Sequence, residues 1–446
     1  MGFMKILYSI KKAEKLSSSD KADLQRERLE KLISYARENS PYYEKLYHNL
    51  PQNYELSDLP VTNKLEMLKY FDEWVTDRNV TLQKVNHFME NKDNIGRMFE
   101  GRYMVNTTSG STGHPCVVLY DKQMQQVVDG IGAMRTFARK EDMKAYMKAG
   151  GKSMGLYADD GFYVGCGSIR KKLLMMPWKK RQLGIEDVRK PIDEIVDRLN
   201  EFQPALLGGY PTALELLVQE QLEGRLHISP AIINTGGEYL SESSRKAISA
   251  AFGCYVQTNY ACTEGGTIAN ECAAHHFHVN DDWIIIEPVD ENNQPVPFGQ
   301  QSAKILLTNL ANYIQPIIRF EITDRIVMHE DGCPCGKHGL WLELEGRTDD
   351  IISFANGKRI APLGLYAILK EIHEIQRFQI VQQEQNVLSI RLVAANKENA
   401  FEKAKKALEN YFDRLGIEVS ILLSDEEPAV DRRSGKFKHI IAKKSE

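Results

Sequence analysis

Two groups of residues in this 446-residue chain have the types and spacing to do chemistry. The first is Thr107-Thr108-Ser109-Gly110-Ser111-Thr112-Gly113-His114-Pro115, a crowd of hydroxyls and glycines following the apolar run Tyr103-Met104-Val105. Glycines admit positive φ and close backbone approach, successive N–H groups form a concavity for anions, and hydroxyls add rotatable donors. Such a loop can wrap phosphate oxygens; the plainer alternative is a Ser/Thr-rich surface turn. No Gly-Lys-Ser/Thr closes it, so it is not a Walker loop. The second group is Cys272-Ala273-Ala274-His275-His276-Phe277-His278 together with Cys333-Pro334-Cys335-Gly336. Thiolates and imidazole are the ligands that a structural tetrahedral Zn²⁺ prefers, although Cys-x-Cys is tighter than the commonest finger spacing and three histidines compete for one position. Unligated cysteines are the alternative. Cys333 and Cys335 stand too close for an easy mutual disulfide. Cys116, Cys166 and Cys254 read as core or near-surface thiols, because no sequence neighbour would activate them.

Elements must hold these groups in place. Leu29, Leu32, Ile33 and Ala36 share one face of a helical pattern that ends before Ser40-Pro41, where proline forbids continuation. From Tyr103 to Ile326, strand-like runs (residues 205–207, 231–233, 255–258, 284–287 and 305–308) alternate with helical segments (212–221 and 243–251), which predicts an α/β domain. Late in the chain, Val387 to Val393 reads as a strand. Phe401, Leu408, Phe412 and Leu415 make an amphipathic helix, and Val419 to Leu423 a second strand. A domain boundary is expected near Gly346 to Asp350, where a polar segment separates the larger pattern from this compact unit.

The glycine-rich loop resembles the phosphate loop of adenylate-forming enzymes, the superfamily of acyl-coenzyme A synthetases and luciferases. Downstream stand Gly236-Gly237-Glu238, Asn259-Tyr260-Ala261-Cys262-Thr263-Glu264, Ile318-Arg319-Phe320-Glu321-Ile322-Thr323-Asp324, Gly346-Arg347-Thr348-Asp349-Asp350 and Ser434-Gly435-Lys436, in that superfamily's order. The N-terminal stretch LISYARENSPYYEKLY and the cysteine segments narrow the resemblance to the phenylacetate-coenzyme A ligase branch, which also holds capsular polysaccharide biosynthesis proteins. It covers nearly the whole chain. It implies a large multi-sheet α/β adenylation domain over residues 1–346, with the zinc site, and a small mobile α+β lid over 347–446.

The resemblance also distributes roles. ATP or AMP would meet Ser109, Gly110, Ser111, Thr112 and Gly113 at the phosphates, with Thr108 acting there, and Gly237, Glu238, Asn259, Tyr260 and Thr263 around the nucleotide. Asp324 would accept hydrogen bonds from the ribose hydroxyls and Arg347 would sit near ribose and phosphate. Glu264 would hold Mg²⁺, an ion that takes few carboxylates and fills its other positions with phosphate and water oxygens. Tyr210, Gly236, Tyr260 and Ala261 would border the acyl pocket, Lys436 would be the catalytic lysine with Lys438 as a nearby rival, and Asp349 would be the hinge. Each of these singly has a bland alternative as an ion pair, core aromatic or loop carboxylate. Cys272, His278, Cys333 and Cys335 are the first choice of zinc ligands. The implied reaction joins a small carboxylic acid to AMP with release of pyrophosphate, then passes the acyl group to coenzyme A, or alternatively to an amine, a sugar or a carrier protein. Two departures stand out: His114 replaces a frequent lysine, and Ala261-Cys262 replaces a glycine-containing pair, so phenylacetate itself is not assumed.

Composition excludes other classes. With 42% apolar and 26% charged residues and a net charge of -4, the chain offers no global attraction to phosphate backbones or anionic membranes. The expectation is therefore no nucleic-acid and no membrane partner, and a homodimer is left open. A phosphotransferase or NTPase switch would want the absent Walker lysine, and a zinc-stabilised nucleic-acid module would want an aromatic-basic stripe. MGFMKILYSIKKAEKL lacks a long h-region and a small-residue cleavage site, and no uncharged apolar stretch spans a bilayer, so a cytoplasmic location is expected.

Overall fold

Apolar runs punctuated by glycine and proline become the strands of a large sheet, and the amphipathic segments between them become its covering helices. A computed structural model describes residues 2–51, 53–108, 116–159, 161–347, 352–360, 362–430 and 437–443, with backbone alone at 346, 347, 359, 362–364 and 367. The chain forms two compact units: Met1–Ile322 with Val327–Glu343, and Thr323–Ile326 with Leu344–Glu446.

In the larger unit the strands Leu183–Asp187, Ser153–Tyr157, Leu206–Gly209, Ile232–Gly236 and Tyr255–Cys262 lie side by side and parallel. Gly266–Glu271, Phe277–Val279 and Leu340–Arg347 then add antiparallel, and Asp324–Glu330 completes a nine-stranded order among the described residues, with positions 324–326 and 344–347 of these last two strands counted in the smaller unit. Parallel neighbours need crossover connections, supplied here by helices such as Ile192–Phe202, Pro211–Leu222 and Glu242–Phe252. Their inward faces (Leu199, Leu214, Ile248) meet Met154, Leu207 and Val256 of the sheet in one core. Two three-stranded sheets complete this unit. One joins Met98–Phe99, Tyr103–Thr107 and Val117–Tyr120; the other joins Ile284–Val289, Lys304–Asn309 and Ile317–Ile322.

The helix read from Leu29 to Ala36 is Ser18–Asn39, capped by the Ser17 hydroxyl, and a new helix starts at Pro41. The predicted strands are all present, and most run longer than their apolar cores because ladder hydrogen bonds continue through Gly and Asn. In the smaller unit, Ile375–Glu384 pairs antiparallel with Val387–Ala394, Ser420–Leu423 adds parallel to the latter, and Ile440–Ile441 adds parallel to the former. Helix Lys397–Arg414 lays Phe401, Ala404, Leu408 and Phe412 onto that sheet.

Candidate active site

The glycine-rich segment 109–115 lies outside the described residues, and with it Ser109, Gly110, Ser111, Thr112 and Gly113. Its two flanks are clasped together. Thr108 N donates to Cys116 O at 2.9 Å, and Cys116 N donates back to Thr108 Oγ1 at 2.8 Å. The same hydroxyl oxygen lies 3.4 Å from the Lys64 ammonium. Burial first, and then the nearby Glu264 carboxylate, drive the Cys116 thiol well above its usual range, while the Lys64 ammonium pulls the other way. A hydroxyl and a cation therefore meet beside the segment, with the Glu264 charge felt at the same thiol. Sequence reading missed Lys64, although it stands one residue after Asn63, whose side chain caps helix Lys64–Lys69. Its position is fixed from a distance. Thr62 forms a parallel bridge with Phe320, and Arg319 holds the approach with hydrogen bonds to Ser57 O and Leu59 O at 2.8 and 2.5 Å and an ion pair with Glu287 at 3.0 Å. Arg319 itself is buried with φ +45° and spent on this clamp.

The C-terminal ends of two adjacent strands bring up the next group. Gly236 and Asn259 are direct neighbours across the parallel pair. A Cβ on Gly236 would stand 3.1 Å from Asn259 Oδ1, so the glycine keeps this approach open. Gly237 follows with φ +80°, a turn that disfavours any side chain. Glu238 accepts hydrogen bonds from Thr212 N and Oγ1 at 3.3 and 2.7 Å, satisfying an orphan donor at the start of Pro211–Leu222. Tyr260 is buried, Ala261 is exposed at a break in register, and Thr263 O accepts from the Tyr120 hydroxyl at 2.6 Å. Glu264 is buried, with its backbone carbonyl held by Asn309 Nδ2 at 2.9 Å.

Aromatic walls flank the strand ends. Tyr210 meets Tyr157 edge to face at 5.4 Å, and a Cβ on Gly208 would come within 3.4 Å of the Tyr157 hydroxyl. Burial raises Tyr157 to about 12 and Tyr210 further, so both stay neutral hydrogen-bonding phenols.

Away from these residues lies the cysteine cluster. Cys272, His278, Cys333 and Cys335 present ligand atoms all within 4.8 Å of one another. The Cys272 and Cys333 sulfurs are 3.7 Å apart, and Cys335 Sγ lies 3.3 Å from His278 Nε2. A tetrahedron with Zn–S of about 2.3 Å has an S···S edge of about 3.8 Å, so the donor set and spacing fit zinc. All seven cysteines are free thiols. Ala274 N and Lys337 N each donate to a cluster sulfur at 3.4 Å, as backbone amides do to thiolates they stabilise. Burial, and after it the charges of Lys337, His276 and Lys21, lower His278 to about 4, leaving a neutral imidazole able to ligate. Burial raises Cys333 to about 12 in the absence of a cation. Of the competing histidines, His275 stacks on Tyr255 at 5.2 Å, whereas His276, stacked on Trp341 at 4.3 Å, also brings its Nδ1 to 3.4 Å from Cys333 Sγ at the edge of the cluster.

In the smaller unit, Asp324 is buried at the first position of its strand, and Arg347 ends the strand Leu340–Arg347 with its side chain outside the described residues. Asp349 and Lys436 also lie outside them. The flanks of 431–436 are pinned by one side chain: Gln379 Nε2 donates to Ala429 O at 3.2 Å and to Lys438 O at 2.8 Å. Phe437 is buried under Arg377 at 4.2 Å, so the residue after Lys436 is an anchor.

Residues 352–443 match a family described as the CapK C-terminal domain. Over 443 residues the chain is 24% identical to a phenylacetate-coenzyme A ligase of Thermus thermophilus, covering 94% of this chain and 88% of the relative. Over 428 residues it is 22% identical to the protein CapK of Staphylococcus aureus, covering 88% and 84%. A solved structure of a 2-hydroxyisobutyryl-CoA ligase, in the postadenylation state with 2-HIB-AMP, shares the fold with a TM-score of 0.68 at 17% identity over 96% of this chain and 90% of that one. The α/β fold with a separate small domain is thus borne out, and so is the resemblance to the phenylacetate-coenzyme A ligase and CapK branch of the adenylate-forming enzymes.

Proposed function

We propose that this chain, an adenylate-forming ligase by its relatives, activates a small carboxylic acid as acyl-AMP at the expense of ATP and passes the acyl group to coenzyme A. The observation that carries the reading is the meeting of Lys64 and Thr108 beside Cys116 at the base of the glycine-rich segment. A carboxylate attacking an α-phosphate brings two anions together, and cations and donors fixed in a site that excludes water offset that repulsion. In this reading Thr108, with Ser109, Gly110, Ser111, Thr112 and Gly113, grips the phosphates, and Lys64 supplies charge that His114 does not. Glu264 holds Mg²⁺. Gly237, Glu238, Asn259, Thr263, Asp324 and Arg347 surround the nucleotide. Tyr210, Gly236, Tyr260 and Ala261 border the acid, and the neutral phenols of Tyr157 and Tyr210 suit an acid bearing an aromatic or hydroxyl group. Cys272, His278, Cys333 and Cys335 hold a structural Zn²⁺. Lys436 completes adenylation, and rotation about Asp349 then serves acyl transfer.

A second acceptor reading, in which the acyl-AMP goes to an amine, a sugar or a carrier protein, stands beside it because the chain resembles CapK as well as the coenzyme A ligase. A library of carboxylic acids, screened by acid-dependent exchange of labelled pyrophosphate into ATP, tests the shared first step. AMP and pyrophosphate appear only with a suitable acid, and stoichiometric ADP would overturn the ligase reading. Stimulation of AMP release by coenzyme A, or its absence, separates the two acceptors.

A further inference from the structure

The larger unit carries a surface that this chemistry leaves unused. Helix Phe3–Ala13 buries Ile6, Ile10 and Ala13, and turns Phe3, Met4 and Tyr8 outward, with Met4 75% and Tyr8 72% exposed. A second exposed apolar group ends helix Val164–Met175 and enters the turn Pro177–Arg181: Leu174, Met175 at 69% and Trp178 at 73%.

Both groups belong to one layer. Helix Lys122–Arg135 lies between them. On one side a Cβ at Gly130 would strike Ile10 and Ile6 at 2.8 and 3.2 Å. On the other, Asp129 pairs with Lys171 and Lys172 at 3.1 and 3.3 Å. Adjacent helical residues point about 100° apart, so Phe3–Ala13 packs on one face of the middle helix while Val164–Met175 reaches the neighbouring face through the Asp129 ion pairs. Gly132, Ala133 and Met134, in the last turn of the middle helix, are exposed as well.

The charge carried by the two outer segments themselves has one sign, and the nearby carboxylates Glu14, Asp129 and Asp159 are each held in ion pairs. Residues 3–13 contain Lys5, Lys11 and Lys12 and no carboxylate; residues 164–181 contain six basic residues and no carboxylate. Arg170, Lys171 and Lys172 are committed to Asp159 and Asp129. Among the described residues, Lys5, Lys11, Lys12, Lys179, Lys180 and Arg181 make no ion pair, in a chain whose net charge is -4. Exposed Trp, Tyr and Met ringed by unpaired lysines is the composition of a surface that dips apolar side chains between lipid headgroups and meets their phosphates with ammonium groups. A nucleic acid would use the charge but not Met4, Leu174 or Met175. We propose that this three-helix layer docks the protein on the surface of an anionic phospholipid bilayer, without crossing it.

The test uses the full-length protein and vesicles of phosphatidylcholine with or without phosphatidylglycerol. Trp74, Trp283 and Trp341 are buried, so a blue shift of tryptophan emission reads Trp178. The expected result is co-sedimentation and a blue shift with phosphatidylglycerol vesicles that weaken with salt and are slight with phosphatidylcholine alone. Lys179→Gln with Lys180→Gln should weaken binding roughly 25-fold, about fivefold per charge removed. Met4→Ser with Tyr8→Ser should weaken it without altering melting. Trp178→Ser should abolish the blue shift. No sedimentation with anionic vesicles at low salt overturns the proposal, as does binding that is equal on neutral and anionic vesicles. Binding of DNA with no blue shift on vesicles would show a polyanion site instead.

Discussion

At Thr108 a single side-chain oxygen is shared between a backbone N–H that closes the glycine-rich segment and an ammonium from 44 residues upstream. Lys64→Ala removes that ammonium without touching the segment itself. One fixed electrostatic contact in such a site is worth about 10²–10³ in rate, and Lys64, at hydrogen-bonding distance from Thr108, should fall near the lower figure. Pyrophosphate exchange should drop about 100-fold with unchanged melting, Lys64→Arg should recover part of it, and an unchanged rate would remove Lys64 from the chemistry. The motif residues Glu264, Asn259 and Gly237 were legible because their spacing is local. Lys64 was not, because its placement depends on the bridge between Thr62 and Phe320, a pairing across more than 250 residues that no local pattern encodes. Nor could spacing choose among His275, His276 and His278: the fold gathers His278 with the three cysteines, leaves His276 touching Cys333 Sγ from the side at 3.4 Å, and stacks His275 on Tyr255.

Elements were legible wherever one face is buried and the other wet, as in Ser18–Asn39 and Lys397–Arg414. Ile375–Glu384 escaped notice because its polar residues Gln379 and Gln382 are buried and satisfied by side-chain hydrogen bonds, which breaks the alternation. Two predictions belong here. The cysteine cluster joins the strand Phe277–Val279 to the turns after Gly266–Glu271 and Asp324–Glu330, so Cys333→Ala should strip one zinc per chain and destabilise the protein by on the order of 3 kcal/mol. Metal analysis of protein purified without added zinc, together with melting, checks it; a zinc-free native protein with an unmoved variant melt would refute the site. The last strand, Ile440–Ile441, is preceded by His439, which burial lowers from 6.5 to about 4 and whose Nδ1 donates to Phe378 O at 3.2 Å. A lowered imidazole pKa means that the unfolded chain binds the proton more readily. The stability is therefore present above about pH 6.5 and lost as pH falls toward 4, by at most about 3 kcal/mol. Calorimetry from pH 7 to pH 5 should show a falling melting temperature for wild type and a flatter profile for His439→Phe.

For the whole molecule the question is whether two half-reactions can be separated. Lys436→Ala should cripple acyl-AMP formation by about 10²–10³ and spare capture of synthetic acyl-AMP by coenzyme A, because the repulsion that the lysine offsets is gone once the adenylate exists. Asp349→Pro, which restricts the backbone at the expected hinge, should do the reverse. Single-turnover rates of each half decide it, and equal losses in both halves for Lys436→Ala would reassign the residue. Molecular averages also hide local clustering: the net charge is -4, yet Lys5, Lys11, Lys12, Lys179, Lys180 and Arg181 make no ion pair among the described residues, and the proposed bilayer docking rests on that local excess. The cysteine cluster has a further consequence at this scale. Its ligands come in two pairs, Cys272 with His278 and Cys333 with Cys335, and the whole sheet of Ile284–Val289, Lys304–Asn309 and Ile317–Ile322 hangs between them. A bound ion would turn that stretch into a ring. The entropy of closing a ring grows only with the logarithm of its length, about 0.6 kcal/mol for each doubling. The hairpin turn at Asp290 to Asn293, exposed at Glu291 and Asn292, could therefore accept a peptide inserted between those two residues, even a small domain, while the ring stays shut, making it a natural place to splice a reporter into this protein.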